Sequence, residues 1–188
     1  NFPVIEIEIL GTVTLDESYI AATGTTRKGM AAIEYLLYGN SGLQQSVIDS
    51  FTLSTTLDRR KQYLRLLCQH VYSYSSSVYS DWNHGNSYDH FISQTQLDIS
   101  GSLNLLVNAL TEHIEYVRKS KLGKPAGIDN NGSADGTLCE YNLSESSLEN
   151  IKENIAAWKT LFTCNAGIGL DDYLDFVDAM YNGTPLSQ

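Results

Sequence analysis

Apolar side chains recur at steps of three and four residues along most of the chain, which is the spacing of one face of an α-helix. The longest pattern predicts a helix over residues 52–80 that buries a single stripe of side chains: Leu57, Leu64, Leu67, Cys68, Val71, Tyr74 and Val78. Shorter patterns predict helices over residues 15–22, 27–38, 103–117, 148–162 and 170–181. We therefore expect an all-α fold in which the helices pack as an antiparallel bundle.

The first residues of the chain depart from this pattern. Residues 4–9 read Val-Ile-Glu-Ile-Glu-Ile, an alternation of apolar and charged side chains that is typical of a β-strand. No second segment of comparable strength follows it. The sequence therefore predicts a short extended segment at the N-terminus, without a partner strand.

Polar segments mark the predicted ends of helices. Residues 81–88 are rich in Asn, Ser and Gly and predict a turn, and residues 129–136 predict a polar loop. Oxygen-bearing side chains in residues 129–140 imitate a calcium-binding loop, but Ala134 stands where the sharp turn of such a loop requires glycine. Ser146, with Glu149 three residues later, fits a capping box at the start of a helix.

Composition limits the classes of function. The 188 residues suffice for one compact helical domain, and the net charge of −10 repels nucleic acid and anionic lipid head groups. The longest apolar runs, such as residues 33–38, are far shorter than the roughly 20 residues of a transmembrane helix. Three cysteines cannot all pair, and a bridge between Cys139 and Cys164 is one option among several. We expect a single domain over residues 1–188 with no membrane span and no nucleic-acid partner.

Glu34 is the first candidate site residue. It lies between Ile33 and Leu36 in a short, very apolar predicted helix, and burying a carboxylate without a partner is costly. Glu34 therefore points to solvent, pairs with another group, or serves as a metal ligand or general base. The adjacent Arg59 and Arg60 could supply that partner or clamp an anion. At most one of them is expected to point inward, because neighbouring helical residues lie about 100° apart.

Local signatures of common enzyme sites are missing from the sequence. The His-Glu-x-x-His spacing of zinc peptidases does not occur, and no Ser or Cys stands in a nucleophile elbow. No glycine-rich loop follows a predicted strand either. Any catalytic group would thus be assembled from residues that are distant in the sequence.

Several segments, in a fixed order, carry a resemblance to a known family. Residues 27–39, Arg-Lys-Gly-Met-Ala-Ala-Ile-Glu-Tyr-Leu-Leu-Tyr-Gly, resemble the signature segment of the imelysin family of exported bacterial proteins, also called insulin-cleaving membrane proteases. Arg59-Arg60 with Tyr63-Leu64 resembles the family's paired-arginine helix. Residues 121–127 are similar to the family's Leu-Gly-x-Pro turn. The family's Glu-to-Ser-x-x-Ser-Leu stretch is matched by Glu140, Ser144, Ser147 and Leu148. Residues 169–174 are similar to its C-terminal Gly-Leu segment.

The resemblance implies two bundle-like helical halves, a periplasmic or surface location in the bacterial envelope, often with a lipid anchor, and frequent association with iron uptake. It also implies a longer protein, so this chain is expected to be a fragment that lacks an N-terminal part. The family's hallmark is Gly-x-His-x-x-Glu, and here Gly29 and Glu34 are present while Ala31 stands at the histidine position. Glu34 is then the candidate ligand of a divalent metal such as iron or zinc, or the catalytic residue, without the imidazole of the motif.

Three hypotheses remain open. The first is an envelope protein that binds a metal ion or a small ligand in a polar pocket between helices, lined by Glu34, Arg59 or Arg60, Glu140 and Ser144. The second is a metallopeptidase of the insulin-cleaving type, in which Glu34 is a ligand or the general base for metal-bound water. The third is a non-catalytic bundle that docks other envelope proteins.

Overall fold

The computed structural model describes residues 2–39 and 43–187, and α-helices dominate these ranges. In chain order the helices are α1 (Phe2–Leu10), α2 (Glu17–Ala22), α3 (Met30–Tyr38), α4 (Gln44–Thr52), α5 (Leu57–His84), α6 (Asn86–Ser93), α7 (Ser102–Tyr116), α8 (Ser147–Thr163) and α9 (Leu170–Phe176). A π-helical segment, Val117–Gly123, continues α7, and single 3₁₀ turns form at Thr25–Arg27 and Gly136–Leu138. The prediction of an all-α fold is confirmed.

The chain divides into two compact units. Unit 1 comprises Asn1–Ser93 together with Leu143–Glu145, and unit 2 comprises Gln94–Asn142 together with Ser146–Gln188. Within the described residues, no helix of either unit is both long enough and apolar enough to cross a bilayer. The strands of the described part are β1 (Met180–Tyr181) and β2 (Thr184–Pro185), which form a small antiparallel hairpin in unit 2 with Met180 opposite Pro185.

Helix α1 corrects the prediction of an extended N-terminal segment. Ile5 and Ile9 lie one helical turn apart and are buried together, whereas Ile7 is 62% exposed. In a strand all three isoleucines would share one face, so the burial follows the helical period and not the alternation of the sequence. The intervening Glu6 and Glu8 find partners on other elements of unit 1, and these contacts decide between the two conformations.

The core of unit 1 joins α1, α2, α3 and α5. Tyr63 and Leu67 of α5 are fully buried, and Leu36 of α3 and Ile20 of α2 pack into the same cluster. Leu143 covers part of this cluster, which explains why the short segment Leu143–Glu145 belongs to unit 1. Burial of these apolar side chains supplies most of the driving force for folding of the unit.

The buried face of α5 differs from the face that the sequence predicts. The helix forms, but its buried residues include Tyr63 and Leu66, and the predicted stripe members Cys68, Tyr74 and Val78 are exposed. Helix α6 contacts α5, with the rings of Trp82 and Phe91 edge to face at 5.7 Å, but Tyr74 and Val78 stay exposed. The turn predicted over residues 81–88 is also wrong, because α5 continues to His84 and α6 begins at Asn86.

Unit 2 is built on α7, α8 and α9. Leu110, Val117, Ile151 and Leu170 contribute its buried apolar side chains, and the indole Nε1–H of Trp158 donates to the carbonyl of Leu110 at 2.9 Å. The predicted capping box does not form, because the Ser146 side chain makes no capping hydrogen bond to the first turn of α8, and its hydroxyl accepts from the Asn150 side chain at 3.3 Å. Hydrogen bonds to residues of the same helix thus compete with the capping geometry.

The last predicted helix is shorter than its apolar pattern. Helix α9 ends at Phe176, and Tyr181 lies in the β-hairpin. Asp178, Asn182 and Gly183 all have positive φ angles, which no helix tolerates. The three cysteines are free thiols, so the Cys139–Cys164 option is not realised.

Candidate functional site

Glycine at position 29 sets the start of the helix that carries Glu34. Gly29 has a φ of +85°, a left-handed conformation that glycine adopts without the steric penalty of a Cβ atom. The helix that follows packs Ala32 and Leu36 against the core, and this brings Glu34 to only 7% exposure. Ala31, at the histidine position of the motif, is exposed one turn before Glu34.

Ser144 is the partner of Glu34. Its backbone N–H and its hydroxyl both donate to Oε1 of Glu34, at 2.9 Å and 2.7 Å. Hydrogen bonds to a carboxylate are strong and compensate for the water that burial removes. Two of the residues predicted to line one pocket are therefore in contact. The partner of Glu34 is a serine, whereas an arginine was one of the possibilities that the sequence left open.

Arg60 pairs with Glu6 of α1. Its Nη2 donates to Oε1 and Oε2 of Glu6 at 2.8 Å and 2.7 Å, and the hydroxyl of Tyr35 also donates to Oε1 at 2.8 Å. The guanidinium lies 5.9 Å from the ring centre of Phe51. Arg60 is only 9% exposed, and its buried Nε–H has no hydrogen-bond partner among the described residues.

A cavity of about 260 Å³ borders this ion pair within unit 1. Its wall combines the two charged groups with hydroxyl-bearing and apolar side chains: Glu6, Tyr35, Leu36, Gly39, Ser46, Val47, Ser50 and Arg60. The hydroxyl of Ser50 donates to the carbonyl of Val47 at 2.6 Å, so its oxygen can accept a further hydrogen bond. We call this space the Glu6–Arg60 cavity.

Glu8 organises a second polar cluster on the same helix. Its Oε1 lies 2.7 Å from Nη1 of Arg27, and its Oε2 accepts from the hydroxyl of Tyr19. Arg59 reaches the backbone of α1 as well, where its Nε donates to the carbonyl of Glu8 at 2.9 Å. Both adjacent arginines therefore contact α1, although only one was expected to point inward, because their long side chains reach around the helix.

Two tyrosines of this region are weaker acids than usual. Burial raises the pKa of Tyr35 to about 12, and the hydrogen bond to Glu6 adds to the effect. Burial raises the pKa of Tyr63 to about 12 as well, with a contribution from the negative charge of Glu8. The folded protein thus holds both phenolic protons more tightly than the unfolded chain does.

This difference predicts a loss of stability in alkali. Because the pKa in the folded state is raised, the contribution of Tyr63 is complete below pH 10 and disappears as the pH rises from about 10 to 12. Urea unfolding across this range should show a decline in the free energy of unfolding that is smaller in Tyr63→Phe. The exposed Tyr72 gives the control, and an equal change in Tyr72→Phe would contradict the assignment.

Glu140 lies in unit 2, not in the unit that holds Glu34. Its Oε2 is 2.6 Å from Nζ of Lys121, and its carbonyl accepts from the hydroxyl of Ser147. Lys121 opens the segment that resembles the family's Leu-Gly-x-Pro turn. Within unit 2, Glu140 therefore links the segment of Lys121 to that of Ser147, and both segments resemble parts of the imelysin family.

The residues around Glu34 do not fit a divalent metal. A transition metal needs several imidazole, thiolate or carboxylate ligands, and the described ranges contain no group of three His, Cys, Asp or Glu side chains that could supply them. The Oε1 atom of Glu34 is already bound twice by Ser144. The calcium-like loop is likewise closed on itself, since the carboxylate of Asp135 accepts from the backbone and hydroxyl of Thr137.

Sequence reasoning missed the acids of α1. Glu6 and Glu8 pair with Arg60 and Arg27, but their alternation with isoleucine predicts only an extended segment. The criterion that selected Glu34, a carboxylate inside a very apolar segment, applies equally to both and would have found them.

Comparison with known proteins agrees with this architecture. Neither the curated proteins nor the solved structures contain a significant match to this chain. The family model described as Imelysin matches residues 11–182, which is nearly the whole chain and includes the segments of Glu34, the paired arginines, Glu140 and Ser144. The chain therefore belongs to the imelysin family.

Proposed function

We propose that this protein is a binding member of the imelysin family, which holds a small polar molecule in the Glu6–Arg60 cavity and works in the bacterial cell envelope. The observation that carries the proposal is an almost fully buried arginine, paired with a glutamate, at the wall of an open space. A buried ion pair is weak evidence for stability, since apolar residues of similar volume serve as well or better. Its position beside a cavity supports a role in recognition.

The wall of the cavity defines the chemistry of the ligand. Glu6 offers carboxylate oxygens, Arg60 offers N–H groups, and Ser50 adds a hydroxyl oxygen. The two opposite charges leave the site close to neutral, which favours a molecule with both donors and acceptors, such as a zwitterion, over a strong anion or cation. At about 260 Å³ the space is smaller than pockets for drug-sized molecules, which measure roughly 300–1,000 Å³.

The metallopeptidase hypothesis has less support. Catalysis by a metal-bound water needs a coordination set that leaves one position open for water. Here Ala31 replaces the imidazole of the motif, and Glu34 is engaged by Ser144. Association with iron uptake and a lipid anchor are properties of the family, and for this chain they stay proposals.

A cavity-filling substitution tests the proposal. Ser50→Met places a long apolar side chain at the cavity wall and leaves Glu6 and Arg60 unchanged in the sequence, and Thr52→Met adds the same side chain to the same helix at an exposed position outside the cavity wall. The probes are a mixture of the standard amino acids, as zwitterions, and citrate as an anion. Equilibrium dialysis with mass spectrometry should detect binding of at least one amino acid to the parent and to Thr52→Met. Binding to Ser50→Met should be at least tenfold weaker.

Three results would contradict the proposal, two that concern the ligand and one that concerns the location. One is the absence of binding by any probe, or equal binding by Ser50→Met, which would favour the docking hypothesis. The other is stoichiometric iron or zinc, measured by elemental analysis after purification without chelators and lost in Glu34→Gln, which would restore the metallopeptidase hypothesis. The protein should be purified from the envelope fraction of its producing cells, and recovery in the cytosol instead would exclude the proposed location.

A further inference from the structure

Unit 2 contains a second cavity, of a different character. It measures about 260 Å³ and lies between α7, α8 and α9. Its walls are almost entirely carbon, and they are formed by Leu103, Val107, Leu110, Thr111, Ile114, Trp158, Phe162, Leu170, Tyr173 and Leu174. None of these side chains is charged, and the polar groups at the wall are the hydroxyls of Thr111 and Tyr173 and the indole nitrogen of Trp158.

The aromatic part of the wall is held in place before any ligand arrives. The rings of Trp158 and Phe162 are stacked, with their centres 5.0 Å apart and their planes at 11°. The indole N–H of Trp158 is bound to the carbonyl of Leu110, so the ring cannot turn without breaking this hydrogen bond. A rigid, preformed aromatic surface favours binding, because little conformational freedom is lost when a ligand docks.

The size of the space sets the size of its occupant. Protein interiors rarely contain voids much larger than a water molecule, and a dry apolar cavity of about 150 Å³ is sufficient to bind benzene. The space beside Trp158 is larger than that. It therefore has room for a molecule of one or two rings, and not for a peptide helix.

The lack of charge at the wall selects the chemistry of that molecule. The space opens to solvent on one side, where Val107, Ile114 and Tyr173 are partly exposed. No wall side chain can replace the water that a carboxylate or ammonium group gives up on entry, whereas a neutral ring loses very little. A planar ring can pack against the Trp158–Phe162 pair, and a single hydroxyl on it can reach Thr111 or Tyr173. We propose that the cavity between α7, α8 and α9 binds an uncharged, planar aromatic molecule of one or two rings. This site is separate from the Glu6–Arg60 cavity, because all of its residues belong to unit 2.

The chain offers a reporter for this binding. It contains two tryptophans, and Trp82 lies on α5 in unit 1. In a Trp82→Phe background, the fluorescence and the indole N–H resonance in NMR spectra report on Trp158 alone. The probe is benzyl alcohol, with benzoate as a charged molecule of similar shape and cyclohexylmethanol as a non-aromatic one.

Saturable shifts of the Trp158 signals with benzyl alcohol are expected. Binding of benzoate should be at least tenfold weaker, and binding of cyclohexylmethanol should be weaker by about two- to tenfold, which is the usual gain from aromatic packing. Val107→Phe and Ile114→Phe extend the wall into the cavity from two positions on α7 and should each weaken the binding at least tenfold. Leu105→Phe, at an exposed position of α7 outside the cavity wall, should change it less than twofold.

Circular dichroism should confirm that each variant is folded. Because two different variants fill the cavity, the test can still be made if one of them does not fold. The proposal is overturned if benzyl alcohol gives no saturable shift up to its solubility limit in the folded parent. It is also overturned if benzoate or cyclohexylmethanol binds as tightly as benzyl alcohol, or if a folded filling variant binds like the parent.

Discussion

Replacing Tyr63 with alanine is expected to lower the free energy of unfolding by about 3–5 kcal/mol, the usual cost of truncating a large aromatic side chain in a core. Tyr63 is fully buried at the centre of unit 1, and its hydroxyl donates to the carbonyl of Arg27. Truncation removes the apolar contacts of the ring, leaves a cavity and deprives a backbone carbonyl of its donor. Urea unfolding followed by circular dichroism measures the change.

Two further variants separate these contributions. Tyr63→Phe keeps the ring and loses the hydroxyl, so its cost should be about 1 kcal/mol, as for a single hydrogen bond. Tyr72→Ala removes the same side chain from a position on α5 that is 76% exposed, and it should change the stability by less than about 0.5 kcal/mol. If Tyr63→Ala were as mild as Tyr72→Ala, the packing of α5 described above would be wrong.

The second large effect concerns the ion pair at the wall of the Glu6–Arg60 cavity. Arg60→Met should lower the free energy of unfolding by about 2–4 kcal/mol, because it leaves the carboxylate of Glu6 without its cation. This loss is toward the lower end of the range for broken buried ion pairs, because the side chain of Glu6 is 33% exposed and water can solvate part of its charge. The hydroxyl of Tyr35 then remains as a donor to this carboxylate.

A double-mutant cycle identifies the cause of this loss. In Glu6→Gln/Arg60→Met both charges are gone, and the double variant should be more stable than Arg60→Met alone, because no uncompensated charge stays behind. Chemical unfolding of the parent, both single variants and the double variant gives the coupling energy. A double variant that is no more stable than Arg60→Met would show that packing of the arginine stem, and not the charge, carries the effect.

The pattern of apolar residues predicted the fold class because helical periodicity is a local property. The spacing over α5, α7 and α8 gave these helices to within a few residues, with no knowledge of their neighbours. The same pattern could not say which positions are buried. Tyr74 and Val78 fit the stripe of α5 as well as Leu67 does, but Leu67 is fully buried in the core of unit 1, whereas Tyr74 and Val78 are exposed.

The candidate site was only partly accessible to sequence reasoning. Glu34 was a candidate because a charged residue in an apolar segment needs a partner or solvent. Ser144 was a candidate because its segment resembles one of the imelysin family. Their contact joins residues 110 positions apart in the chain. No local rule pairs such distant residues, so the identity of the group that satisfies Glu34 was open until the fold was known.

Sequence alone determined the all-α class, the net charge, the loss of the motif histidine at Ala31 and membership of the imelysin family, since each depends on residue identity and local spacing. Tertiary structure decided the rest. In isolation, the segment over residues 4–9 has the alternation that is typical of a strand. It becomes α1 because Ile5 and Ile9 fill the core while Glu6 and Glu8 meet Arg60 and Arg27, contacts that exist only once distant elements have packed together.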